Sequence, residues 1–96
     1  MRQAVVLRKL GETQDRLERA RVELMVLDEQ FEALNLAAED LRLRYLLSET
    51  PQTSHDYGEM RRAADTLEKA RNAVRASLDE LLAAREQLLA HVEGTQ

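Results

Sequence analysis

From Val6 to Ser48 the chain marks out a row at alternating steps of four and three: Val6, Leu10, Thr13, Leu17, Ala20, Leu24, Leu27, Phe31, Leu34, Ala38, Leu41, Tyr45 and Ser48. Only the hydroxyl residues Thr13 and Ser48 break its apolar character. A mean step of 3.5 residues over six heptads does not fit a strand, whose side chains alternate faces every second residue. It fits a helix whose apolar seam coils around a neighbour. With Leu10, Leu17, Leu24, Phe31, Ala38 and Tyr45 at heptad position a, the e positions are Gln14, Arg21, Asp28, Asn35 and Arg42. All five are polar, so the seam has a defined edge.

A second row follows the only stretch rich in helix breakers, Ser48 to Gly58. Pro51 lacks an N–H and pushes Thr50 away from helical geometry. Ser54 or Asp56 can accept the free N–H groups of a new helix, with Glu59 placed as in a capping box. Beyond it Met60, Leu67, Val74, Leu81 and Leu88 take position a, and Ala63, Ala70, Ser77, Ala84 and His91 take d. Leu78, Val92, Leu82 and Leu89 widen this stripe, and Gly94 stands where a helix-ending glycine belongs. The expected organisation is a single helical hairpin domain over residues 1–96, with helices over about 4–48 and 56–93 and a loop over about 49–55.

Composition supports this reading. Ala, Glu, Lys, Leu and Arg make up 56 of 96 residues, and three Gly and one Pro supply too few turns for a sheet. The fold class is therefore all-α, an antiparallel two-helix coiled-coil hairpin. In such a pair facing residue numbers add up to a constant, and the loop position allows 101 or 108. The first sets Leu17 on Ala84 and Phe31 on Ala70; the second sets Phe31 on Ser77 and Tyr45 on Ala63. The second is preferred here, because its centre falls later in the loop.

Charge and residue inventory narrow the function. A net charge of −4 argues against gripping nucleic acid or anionic lipid, and the twelve arginines are interleaved with carboxylates. No apolar run approaches the roughly 20 residues that span a bilayer, and the first residues do not form a signal-peptide core. The expected location is the cytoplasm, with leaderless export also compatible. There is no Cys, no glycine-rich phosphate loop and no nucleophilic triad pattern. His55, Asp56 and Glu59 could approach a metal at the loop tip, but capping and solvation of the second helix account for them more simply. No metal, cofactor or small-molecule substrate is expected. The chain lacks the Trp-x-Gly turn of small exported helical hairpins and the further inward arginine of all-helical chorismate mutases. Asp56-Tyr57-Gly58-Glu59 is similar in acid spacing to the tip of hairpin transcript-cleavage factors, but the rest of that tip motif is missing, so no resemblance assigns it to a family.

A second apolar stripe on the first helix is the most informative feature. Val22, Met25, Val26, Leu36, Leu43, Leu46 and Leu47 occupy positions b, c and f, away from the hairpin seam, where a solvated back face would be charged. Burying a Leu or Val stabilises by about 1.5–3 kcal/mol, so seven left in water forgo a large driving force. These residues are the expected interface, covered by a second copy in a dimeric four-helix bundle or by another protein. The function expected is a non-enzymatic scaffold or adaptor that self-associates. The alternatives are a small all-helical enzyme with a pocket between helices, or a hairpin subunit of a heteromeric chaperone or secretion complex.

Overall fold

A computed structural model describes residues 2–94. Two helices account for nearly all of them, α1 over Gln3–Leu47 and α2 over Pro51–Gly94, and no strand occurs among the described residues. The chain is an all-α helical hairpin. Among the described residues no helix is long and apolar enough to cross a membrane.

The connection is shorter than the sequence suggests. Only Ser48, Glu49 and Thr50 lie between the helices, so the loop expected over 49–55 contracts to three residues. Pro51 ends nothing in α2; it is the first helical residue, where its missing N–H costs no bond and its fixed φ suits the helix. Thr50, rather than Ser54 or Asp56, is the cap. Its hydroxyl accepts from the Thr53 N–H at 3.1 Å, and its own N–H donates to Thr53 Oγ1 at 3.0 Å, a reciprocal cap with Thr in place of Glu. Thr53 Oγ1 also donates to the Ser48 carbonyl at 2.7 Å, tying the loop to the last turn of α1. At the far end Gly94 remains within the helix and does not adopt the left-handed conformation of a glycine cap.

Contacts divide the hairpin into two compact units, one formed by Met1–Leu24 with Ala73–Gln96 and the other by Met25–Asn72. In the first unit Val6, Leu17 and Ala20 are buried, and Leu10, Thr13 and Leu24 are half-buried. Opposite them, Val74, Leu78, Leu81, Arg85, Leu88 and Val92 are half-buried. In the second unit Ala38 and Ala64 are buried, with Leu27, Phe31, Leu34, Leu41 and Tyr45 of α1 and Tyr57, Met60, Leu67 and Arg71 of α2 partly covered. The row read for the first helix therefore faces inward at every position but its last: Ser48 is exposed in the loop.

For α2 the phase differs from expectation. Met60, Leu67, Val74, Leu81 and Leu88 do face α1, but their companions are Tyr57, Ala64, Arg71, Leu78, Arg85 and Val92. Ala63, Ala70, Ser77 and His91, read as seam residues, are exposed, and only Ala84 is half-buried. The inward row gains bulk from Tyr57, Leu78 and Val92, while Arg71 and Arg85 cover apolar surface with their stems.

Pairing follows the lower register, not the preferred one. In the first unit Arg85 donates to Gln14 Oε1 at 3.4 Å. In the second, Arg71 lies over the Phe31 ring at 4.5 Å and Tyr45 stacks on Tyr57 with centroids 6.3 Å apart. These partners' numbers total 99 and 102, close to 101 and far from 108. The stacked tyrosines give the reason: the higher register would set Tyr45 against the small Ala63 and forgo that contact.

Candidate interaction surface

Helical geometry turns the outer face of α1 away from α2. All seven residues read as an interface are exposed: Val22, Met25, Val26, Leu36, Leu43, Leu46 and Leu47. Leu36 leaves 68% of its surface in solvent and Leu47 leaves 88%. Val22 belongs to the first unit, in a shallow depression among Asp15, Glu18, Arg19 and Glu23. The other six belong to the second unit and ride on one helix. Leu7 and Leu89 are further exposed apolar residues outside the expected set, whereas Leu82 is half-buried.

Within the second unit the face has a finer order. Val26, Glu29, Ala33, Leu36, Asp40 and Leu43 follow one another at steps of three and four, and all are exposed. This is a second 3.5-residue row on the same helix, interrupted by two carboxylates. An eye for apolar residues alone misses it, because Glu29 and Asp40 hold two of its places.

Ion pairs border this row and enter it at Asp40. Arg42 grips Glu39 with two hydrogen bonds, at 2.7 and 3.0 Å. That bond holds the Glu39 carboxyl below its ordinary value and lifts Arg42 above its own. Asp40 meets Arg44 at 3.2 Å. Among the described residues Glu29 and Glu32 have no ion partner. The face is apolar with an acidic fringe.

The inward side carries its own anomaly. The Nε atoms of Arg71 and Arg85 are buried without a hydrogen-bond acceptor. Arg71 has the Phe31 ring and, at 3.7 Å, the Asp28 carboxylate, while Arg85 has only its long bond to Gln14. Nearby in the first unit is an open groove of about 500 Å³, bordered by Lys9, Glu12, Thr13, Arg16, Leu88 and His91.

The residues weighed as metal ligands sit in the first turns of α2. Asp56 accepts from Gln52 Nε2 at 2.8 Å, and Glu59 bonds Arg62 at 2.8 Å. That bond, helped by the Arg62 and His55 charges, lowers the Glu59 carboxyl from its ordinary value. Among the described residues no three His, Cys, Asp or Glu side chains cluster in a way that could hold a metal ion. The chain matches no known protein family, no curated protein and no solved structure. Its class is set by fold and surface alone: an all-α hairpin with an apolar outer face on α1.

Proposed function

We propose that this protein is a non-enzymatic coiled-coil scaffold or adaptor, working in the cytoplasm through self-association and contact with other proteins. The observation that carries the reading is the outer face of α1, where six large apolar side chains of one unit stand in solvent. Monomeric soluble proteins rarely leave a contiguous patch of that kind uncovered. A second copy is the simplest cover, because a two-fold interface uses the same patch twice and needs no other gene product. Two hairpins joined in this way form a four-helix dimer.

Light scattering and sedimentation of the purified chain test this directly. The unmodified protein should be a dimer at tens of micromolar. The double variant L36E/L43E should be a helical monomer of lower stability, since it puts two carboxylates per chain into the contact. A monomeric parent at that concentration would refute self-association and leave the face to a different protein.

A further inference from the structure

We propose that the open groove of the first unit is a binding site for a small monocarboxylic acid with an apolar body, a function separate from self-association through the outer face of α1. Two irregularities of the sequence meet there. Thr13 is the one residue of the inward row within α1 that is not apolar, and His91 is the one titratable residue of the row first read for α2; both line the groove. The lining residues keep the register of the seam. Lys9 with His91 and Arg16 with Ala84 total 100, and Thr13 with Leu88 totals 101.

The floor is apolar, from the half-buried Leu88 and Ala84, and the rim is cationic, from the exposed Lys9 and Arg16. Lys9, Thr13 and Arg16 stand at i, i+4 and i+7, on one face of α1. Among the described residues neither cation has an ion partner, although Glu12 stands between them on the same rim. The Thr13 hydroxyl is also unspent. A threonine within a helix can bond the carbonyl four residues back, as Thr66 does to Arg62 at 3.0 Å. Thr13 makes no side-chain hydrogen bond among the described residues.

These features select the ligand. Arg16 offers paired N–H donors that match a carboxylate, Thr13 adds a hydroxyl donor and Lys9 adds positive charge. Leu88 and Ala84 give an apolar body a surface to cover. A phosphate fits less well. The backbone N–H groups along both walls lie inside helices and are spent on the helices' own bonds, so there is no amide cradle. Glu12 also opposes a second negative charge. At about 500 Å³ the groove has the volume of a small-ligand site.

Octanoate is the probe, titrated into the full chain with amide NMR reporting where it binds. Shifts should centre on residues 9–16 and 84–91, with a dissociation constant on the order of 1 mM. Acetate, which lacks the apolar body, and octanamide, which lacks the charge, should each bind about tenfold more weakly. R16Q should weaken octanoate about tenfold, and E12Q should tighten it about threefold by removing the opposing carboxylate. R75Q, on exposed α2 surface outside the groove, should leave it unchanged. Circular dichroism confirms that each variant is helical. Octanoate shifts confined to the outer face of α1, octanamide binding as tightly as octanoate, or R16Q binding as tightly as R75Q would each overturn the site. None of these outcomes depends on whether the chain is a monomer or a dimer.

Discussion

Replacing Arg85 by Leu should make this protein more stable, and replacing Arg71 by Leu should not. Both arginines point from α2 toward α1, and both bury an Nε–H with no acceptor. An unsatisfied buried donor costs about 1–3 kcal/mol. Arg71 offsets this with the Phe31 ring at 4.5 Å, worth about 0.5–1 kcal/mol, and the Asp28 carboxylate at 3.7 Å, worth about 0.2–1 kcal/mol where partly exposed. Arg85 has only a 3.4 Å bond to Gln14, too long to contribute more than a few tenths of a kcal/mol. Leu and Arg have similar helix propensity, so the exchange leaves intrinsic helicity unchanged. R85L also adds branched apolar surface to the seam. The expected gain is about 1–2 kcal/mol, or roughly 4–15 °C in melting temperature for a chain of this size. R71L should stay within about 1 kcal/mol of the parent. Urea and thermal melts followed by circular dichroism, at one fixed chain concentration, separate the two. If R85L were destabilised by 1 kcal/mol or more, the Arg85 charge would be needed in the fold, and the assignment of its buried Nε as a net cost would be refuted.

Two further outcomes follow from local geometry. T50A removes the hydroxyl that caps α2 and should cost about 1 kcal/mol, while T50S should restore most of it; equal stability of T50A and parent in urea melts would contradict the cap. Glu39 and Glu59 are held below the ordinary carboxylate value by Arg42 and Arg62. A lowered folded-state pKa means the stabilisation is present above the unfolded value of 4.5 and is lost as pH falls through the folded value. Carboxyl-carbon NMR titration should therefore find both titrating below the ordinary glutamate value of 4.5, and titration of either at or above that value would contradict the pairing.

How much of this molecule was written in the sequence varies by element. The inward row of α1 was legible from Val6 to Tyr45, because large apolar side chains recur there with no competing row on the same side of the helix. The outer face was legible as a set of apolar residues, since their exposure depends only on lying off the inward row. Its acidic interruptions were not, because a search for apolar residues passes over Glu29 and Asp40.

On α2 two candidate rows share Met60, Leu67, Val74, Leu81 and Leu88. One adds small residues at Ala63, Ala70, Ser77 and Ala84; the other adds Tyr57, Leu78 and Val92 together with two arginines. Polarity alone favours the first. Packing decides for the second, because an arginine stem can lie on apolar surface and an aromatic ring such as Phe31 can take its charged head. The breaker at Pro51 was likewise visible, but proline at a helix start and proline after a helix end look alike in sequence. Which one it is depended on the Thr50 and Thr53 hydroxyls closing the cap. Sequence by itself determined that there are two helices and which side of the first faces inward. The phase of the second helix and the register between them waited on tertiary contact, because near-equivalent heptad frames differ only in what each side chain meets across the gap.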